Sequence, residues 1–268
     1  MRTLLTVSAV LLFANISTAD INDARVTEVW VGLGGGRPDG THDWFEVTNL
    51  GDAAIDTAEL AYDDDGPTLD SATLLPSIIL QPGESAVFVV DIPPDNPVFD
   101  NSIEEFLNVW IPFDPPFVAA LDDASSLSTS GDSANLLNAT TGELIDTFAY
   151  NGSQADTVAT IERIGESPTD VRQSILGERC AFESQTYLDE DTLETAVDEN
   201  GDPLILIGSP GIFQALGDIN CDGAVNLLDV TPFIDAIASG DFNFAADINQ
   251  DGAVDLLDVG LFVELLAG

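Results

Sequence analysis

The chain has 268 residues, and its 48 Asp and Glu against six Arg, no Lys and one His give a formal net charge of −42. Affinity for phosphate backbones comes from Lys and Arg, so this balance excludes nucleic acid and anionic membrane as favourable partners. A surface of this kind indicates solubility, and it leaves carboxylate-bound metal as the specific function to look for.

Residues 1–19 predict a secretory signal peptide. They combine one positive charge at Arg2, an apolar run over residues 4–13, and small residues at Ser17 and Ala19, which place cleavage after Ala19. The alternative is a membrane anchor, but a bilayer span needs about 20 apolar residues. The sequence therefore predicts a secreted or cell-surface protein with no membrane span.

Residues 20–214 carry the signals of β-strands and turns. Stretches such as "HDWFEVTNLGDAAID" and "SIILQPGESAVFVVDI" are rich in β-branched and aromatic residues and are interrupted by turn clusters. "SANLLNATTGELIDTFAY" predicts a hairpin, and a short helix is predicted at 103–109 within a proline-rich connection. Many short strands with regular turns predict a mainly β fold with a β-sandwich.

Five pieces of this region resemble bacterial lamin-tail domains, in the order of that family. They are "DWFEVTNLGDAAIDTAEL", "IILQPGESAVFVV", "STSGDSANLLNATTGELIDTFAYNG", "VATIERIG" and "GSPGIF", and they cover most of residues 21–213. The resemblance implies an immunoglobulin-like β-sandwich and a non-catalytic module of exported proteins. The acidic "DDDG" after Tyr62 and the long segment 171–206 depart from the pattern, which leaves the final strand pairing open.

Two nearly identical strings occupy the C-terminal region, "GDINCDGAVNLLDV" from Gly217 and "ADINQDGAVDLLDV" from Ala246. Both have oxygen side chains at the alternating spacing that wraps a loop around Ca²⁺, with Gly at position 6 for the sharp turn. The apolar Val225 and Val254 are expected to pair the two loops through a short strand contact. The predicted ligands at positions 1, 3, 5, 7 (main-chain carbonyl), 9 and 12 are Asp218, Asn220, Asp222, Ala224, Asn226 and Asp229 in the first loop, and Asp247, Asn249, Asp251, Ala253, Asp255 and Asp258 in the second.

A helix with one apolar stripe is predicted after each loop. The stripes lie at offsets i, i+3, i+4 and i+7, and consist of Val230, Phe233, Ile234 and Ile237 in the first helix and Val259, Phe262, Val263 and Leu266 in the second. Neither stripe can be buried alone, so the two units are expected to pack face to face. Pro232 is expected to remove one hydrogen bond from the first helix.

The loop-then-helix duplication resembles the type I dockerin over residues 215–268. An ordinary EF-hand has a helix before each loop and Glu at position 12, and neither is present here. The resemblance implies a module that binds two Ca²⁺ ions and docks onto cohesin domains through positions 10 and 11 and nearby helix residues. Those positions hold leucines where clostridial dockerins tend to carry hydroxyl residues, so the leucines either meet a more apolar receptor or are buried. They are Leu227, Leu228, Leu256 and Leu257.

No catalytic site is predicted from the sequence. His42, the only histidine, lies beside Asp43 but is expected to be structural, and Arg163 is expected to pair with Glu162 or a neighbour in the sandwich. Paired carboxylates could hydrolyse glycosides, yet such pairs arise by chance among 48 acids.

Cys180 and Cys221 permit one disulfide, but their spacing does not establish it. A zinc site is not expected, because neither cysteine has a Cys or His neighbour at metal-ligand spacing.

These features predict a β-sandwich at 20–214 followed by a calcium-folded dockerin at 215–268. The predicted role is binding and attachment to a cohesin-like or other envelope protein. Two alternatives stay open: a component of a polysaccharide-degrading assembly, with a polysaccharide as partner, or a structural cell-surface protein.

The second loop is predicted to bind Ca²⁺ more tightly than the first, because it has Asp255 where the first has Asn226. An additional ligand charge raises calcium affinity. Calorimetric titration of two variants, each with one loop inactivated, measures the two affinities, and equal values would contradict the prediction.

Overall fold

The computed structural model describes residues 20–33, 42–64, 66–91, 102–110, 117–122, 124–155, 157–165, 167–189, 194–240 and 242–267. The signal peptide predicted at 1–19 lies outside the described residues. Strands make up 31% of the structure and helices 17%, which confirms the mainly β fold with a C-terminal helical region. Within the described part, no helix has the length and apolarity needed to cross a bilayer.

The described chain forms fourteen short strands, three α-helices and three single 3₁₀ turns. The strands are β1 (Ala24–Trp30), β2 (Trp44–Asn49), β3 (Ile55–Asp56), β4 (Leu60–Asp63), β5 (Thr73–Leu74), β6 (Ile79–Leu80), β7 (Ser85–Asp91), β8 (Val118–Asp122), β9 (Gly131–Asn138), β10 (Leu144–Asn151), β11 (Ile161–Arg163), β12 (Val171–Gln173), β13 (Phe182–Glu183) and β14 (Ile207–Gly208). The helices are α1 (Ser102–Trp110), α2 (Val230–Ser239) and α3 (Asp258–Ala267). The 3₁₀ turns are Ile21–Asp23, Thr57–Glu59 and Phe244–Ala246.

Two sheets pack face to face, as the strand pattern predicts. One has the order β12-β11-β1-β2-β7-β8 and the other the order β10-β9-β4-β5. The predicted hairpin is the antiparallel pair β9–β10. Between the sheets, Phe45 of β2 stacks on Tyr62 of β4 and on Phe88 of β7, with ring centroids 4.3 and 5.4 Å apart. Such stacked aromatic pairs add to the free energy gained by burying apolar area.

The outer face of the six-stranded sheet is covered as well. Trp44 points away from Phe45 along β2 and packs edge-on against Phe106 and Trp110 of α1, with centroids 5.8 and 6.0 Å apart. The short helix predicted at 103–109 therefore exists and has a packing role. Phe182, Tyr187, Ala196, Leu204 and Leu206 contribute to the same apolar cluster. The β13–β14 pairing gives the final strand pairing that the sequence left open.

A row of three buried glutamates crosses this outer face. Glu28 of β1 lies opposite Glu46 of β2 and opposite Glu162 of β11, and all three residues are at most 5% exposed. The segment after β14 covers two of them, since Ser209 N donates to Glu28 at 2.9 Å and Gly211 N donates to Glu46 at 2.6 Å. The chain is thus anchored to the sheet just before the C-terminal region begins.

A disulfide between Cys180 and Cys221 joins the sandwich to the first C-terminal loop, with their Cα atoms 5.6 Å apart. It crosslinks residues that are 41 apart in the chain, which restricts the unfolded chain. Replacing both cysteines by serine is expected to lower the free energy of unfolding by about 2–4 kcal/mol. Urea unfolding with and without reductant measures this loss. Reductant should destabilise only the native chain, and equal midpoints for the two chains would contradict the prediction.

Candidate metal centre and docking face

The first C-terminal loop folds around two buried carboxylates. Asp229 is fully buried; its Oδ1 accepts from the N–H of Ile219 at 2.8 Å and of Asn220 at 3.0 Å, and its Oδ2 accepts from Asn226 N at 2.9 Å. Asp218 is 1% exposed and accepts from the main-chain N–H groups of positions 5 and 6 of the loop, at 3.2 and 3.0 Å. Positions 1 and 12 of the loop therefore hold its ends together.

The second loop repeats this geometry. Asp258 is fully buried and accepts from Asn249 N at 3.0 Å and from Asp255 N at 2.9 Å. Asp247 accepts from Asp251 N at 3.1 Å and from Gly252 N at 2.9 Å. Position 6 has a left-handed backbone in both loops, with φ of 82° and 87°, which is why both loops place Gly there.

The remaining side chains of each loop lie nearer the surface. Asn220 Nδ2 donates to Asp222 Oδ2 at 2.9 Å, so positions 3 and 5 are in contact. Positions 3 and 5 of the second loop make the same contact at 3.1 Å. At position 9, Asn226 donates to the main-chain carbonyl of Ala224, the predicted ligand of position 7, at 3.2 Å. The loop thus brings these predicted ligands close to one another.

The loops concentrate negative charge without a compensating cation. Burial raises the pKa of Asp218 above its usual value, and the charges of Asp229 and Asp222 raise it further, against the lowering effect of its two N–H donors. Within the described residues, no arginine pairs with a carboxylate of either loop. A cation would relieve this repulsion.

The donor set fits Ca²⁺ by its chemistry. The described residues include no group of three or more Asp, Glu, His or Cys side chains already gathered as metal ligands. Each loop combines carboxylates with an Asn oxygen and a main-chain carbonyl, the hard oxygen donors that Ca²⁺ takes and Zn²⁺ does not prefer. A bound ion would neutralise the buried carboxylates and fix the loop from which the helix starts.

Helices α2 and α3 meet through their central aromatic residues. Phe233 and Phe262 stack with centroids 4.2 Å apart, and Val225 and Val254 pack against the same cluster. The predicted strand contact between these two valines is absent, since neither lies in a strand. Pro232 is the third residue of α2, where N–H groups have no acceptor within the helix, so the predicted loss of a hydrogen bond was wrong.

The apolar stripes of the two helices are only half covered. Ile234 and Val263 are each 57% exposed, although the sequence predicts them in the shared interface. They line an apolar groove of about 380 Å³ that runs between α2 and α3. The two ten-residue helices meet at the Phe233–Phe262 pair, and the outer part of each stripe therefore stays in solvent. The spacing of apolar residues in the sequence does not show how much of a stripe its partner helix covers.

The predicted partner-contact leucines are among the most exposed apolar residues of the described chain. Leu227 is 79% exposed and Leu256 is 77% exposed, while Leu228 and Leu257 are each 67% exposed. The alternative in which these leucines are buried is therefore wrong. Exposed apolar residues next to an apolar groove are typical of an interaction surface.

Comparison with known families identifies this region. Residues 216–264 match the dockerin type I domain. The chain therefore carries a calcium-binding docking module of the kind that binds cohesin-type partners. The dockerin match covers both loops and most of both helices.

The other comparisons with known proteins are weaker. A solved structure of a DUF4876 family protein from Bacteroides thetaiotaomicron is similar at 9% identity, with 76% of this chain and 75% of that chain covered and a TM-score of 0.35. No curated protein matches the chain.

The residues considered for catalysis have structural partners. His42 Nε2 lies 3.3 Å from the buried Glu105 Oε2 of α1, and Arg163 pairs with Asp146 across the sandwich at 2.8 Å. Arg163 therefore pairs with a sandwich neighbour, one of the two options the sequence offered.

Proposed function

We propose that this protein is a non-catalytic, exported attachment protein. In this proposal a lamin-tail-like sandwich at 20–214 is presented by a dockerin at 215–268 that binds two Ca²⁺ ions and docks to a cohesin-type partner at the cell surface. The dockerin match and the exposed leucines on each unit support docking. The order of the five lamin-tail-like pieces supports the assignment of the sandwich.

The disulfide supports export. Disulfides persist in oxidising compartments and are rare in the cytosol, and this one lies between the sandwich and the dockerin. It agrees with the signal peptide predicted at 1–19 and with a secreted or cell-surface location.

In the docking step, Ca²⁺ would be held by the two loops through Asp218, Asp229 and their counterparts in the second loop. The metal supplies positive charge to loops that the chain itself leaves negative. The chain then presents α2, α3 and the leucine pairs as one face with an apolar centre, and the same two helices carry the exposed acids Asp235 and Glu264. A partner with an apolar patch flanked by Lys and Arg is complementary to this face.

Replacing Leu227, Leu228, Leu256 and Leu257 together by serine is expected to weaken binding to an immobilised type I cohesin domain by about 100-fold or more, because buried leucines of an interface lose their apolar contacts. Replacing one pair only should have a smaller effect if either unit can face the partner. Surface plasmon resonance in Ca²⁺ and in chelator measures both.

The matched control is Ile175→Ser with Leu176→Ser, an exposed apolar pair on the sandwich. Its binding should equal that of the native chain. Unchanged cohesin binding by the four-leucine variant, or binding that persists in chelator, would contradict the docking face proposed above.

A further inference from the structure

Four of the six arginines of this acidic chain surround two adjoining cavities where the sandwich meets the dockerin. The larger cavity has a volume of about 430 Å³ and the smaller about 170 Å³. These arginines are Arg25, Arg163, Arg172 and Arg179. In a chain with a net charge of −42, such a concentration of positive charge requires a local explanation.

Three of these arginines have sufficient partners within the fold. Arg163 pairs with Asp146 at 2.8 Å. Arg172 pairs with both Glu162 and Glu178, each at 2.8 Å. The guanidinium of Arg25 donates to the main-chain carbonyls of residues 22 and 24 at 2.5 and 2.8 Å. Each of these cations is therefore neutralised or hydrogen-bonded by the chain itself.

Arg179 is different. Its side chain is only 9% exposed, and the nearest carboxylate oxygen, Glu162 Oε2, lies 3.9 Å from Nε, beyond hydrogen-bond distance. Its guanidinium stacks on the ring of Phe244 at 3.5 Å from the centroid, and within the described residues it donates no hydrogen bond. This guanidinium is nine-tenths buried and has only the long ion pair with Glu162, which Arg172 already binds at 2.8 Å, so no anion accepts a hydrogen bond from it.

The backbone holds Arg179 in this position despite strain. Arg179 and Cys180 have φ of 45° and 66°, a left-handed conformation that non-glycine residues rarely adopt. The turn is kept in place by the disulfide at Cys180 and by two main-chain hydrogen bonds, from Gly177 N to the carbonyl of Ala181 and from Ala181 N to the carbonyl of Glu178. Strain of this kind persists where the surrounding structure over-determines it, and it is concentrated at ligand sites.

We propose that the larger cavity binds a uronic acid residue of an acidic polysaccharide, with its carboxylate on Arg179. The guanidinium supplies paired N–H donors whose geometry matches a carboxylate. Phe242 lines the same cavity and is 61% exposed, so it offers a face for the apolar side of a sugar ring. The volume falls in the range of small-ligand pockets.

The other groups of the cavity favour a sugar over a simple carboxylate. Asn243 and Glu178 also line it, so an amide donor and a carboxylate acceptor lie beside the arginines. A hydroxyl both donates and accepts, and a hydroxylated ring uses both kinds of group. A simple carboxylate such as acetate would use the donors alone. Glu178 is held by Arg172, which offsets its repulsion of an incoming anion. This site is separate from the docking face and does not depend on the proposed docking function.

The test is isothermal titration of the full chain, at fixed free Ca²⁺, with uronic acid trimers (galacturonate and mannuronate) and with neutral trimers of the same linkage. At least one uronate trimer should bind, and its neutral analogue should bind about tenfold more weakly or not at all. Arg179→Gln should weaken uronate binding about tenfold or more, and Phe242→Ala about fivefold. Because Phe242 is exposed, its variant tests the site even where Arg179→Gln is unstable.

Arg25→Gln is the matched control, since Arg25 lines only the smaller cavity. Its uronate affinity should stay unchanged. Absence of binding by every uronate trimer, unchanged affinity in a folded Arg179→Gln, or a loss in Arg25→Gln equal to that in Phe242→Ala would overturn the site. Acetate that binds as tightly as a uronate trimer would overturn the sugar assignment.

Discussion

Replacement of Asp229 by alanine is expected to abolish Ca²⁺ binding by the first loop, so that one of the two ions proposed above is lost, and to unfold helix α2. The Asp229 carboxylate accepts from three main-chain N–H groups and is fully buried, so alanine leaves those donors without a partner. Each unsatisfied buried donor costs about 1–3 kcal/mol, and a module of about 50 residues rarely has more than about 3–5 kcal/mol to lose. The variant also loses the predicted ligand at position 12, so metal binding is not expected to restore the loop.

Calcium stoichiometry from calorimetry and hydrogen exchange of α2 measure this effect in the full chain. Asp258→Ala should have the equivalent effect on α3, because Asp258 is also fully buried and accepts from two main-chain N–H groups. Asp235→Ala is the matched control, an exposed carboxylate within α2 that should leave both measurements unchanged. An Asp229→Ala chain that still binds two ions with a protected α2 would show that the loop is only a structural turn.

The local features of this protein could be predicted from the sequence. The turn geometry of both loops, the helices that follow them and the β9–β10 hairpin depend on residues close together in the chain. A periodic pattern reveals such features because each residue's role is set by its near neighbours. The mainly β fold followed from the same local signals.

The features that were missed depend on contacts between distant residues. Arg179 and Phe244 are 65 positions apart, and nothing near Arg179 indicates that its guanidinium stacks on an aromatic ring in the dockerin. The half-covered stripe that leaves Ile234 and Val263 exposed depends on how α2 and α3 approach each other. Glu28, Glu46 and Glu162 become a row only when β1, β2 and β11 lie side by side.

That glutamate row leads to the second large effect, a loss of sandwich stability as the pH rises. The ordinary pKa of a glutamate is 4.5. Burial, and to a smaller extent the charge of Glu46, raises the pKa of Glu28 to about 8. Burial raises the pKa of Glu46 to about 7. Hydrogen bonds from Thr160, Ser209 and Gly211 oppose these shifts but do not cancel them. The folded chain therefore binds more protons than the unfolded chain between about pH 4.5 and 8. In that window the contribution of this pair to stability falls as the pH rises, and it is fully present below pH 4.5.

Glu46→Gln is expected to remove much of this loss. The glutamine cannot ionise, it retains an oxygen for Gly211 N, and it takes away the charge that raises the pKa of Glu28. At pH 8 the variant should exceed the native chain in free energy of unfolding by on the order of 2–3 kcal/mol, and at pH 5 by far less.

Urea unfolding at pH 5, 6.5 and 8, followed by tryptophan fluorescence, isolates this effect in the sandwich. All three tryptophans pack on the outer face of the six-stranded sheet, whereas residues 215–268 contain none, so the fluorescence reports unfolding of the sandwich, and Ca²⁺ is held constant throughout. Glu59→Gln removes one negative charge from an exposed site and controls for the general self-repulsion of the acidic chain.

A stability difference between Glu46→Gln and the native chain that stays constant from pH 5 to 8 would show that the pair ionises at its ordinary pKa. A difference that grows with pH only in Glu46→Gln, and not in Glu59→Gln, assigns the loss to the buried row, because exposed charges are screened by solvent.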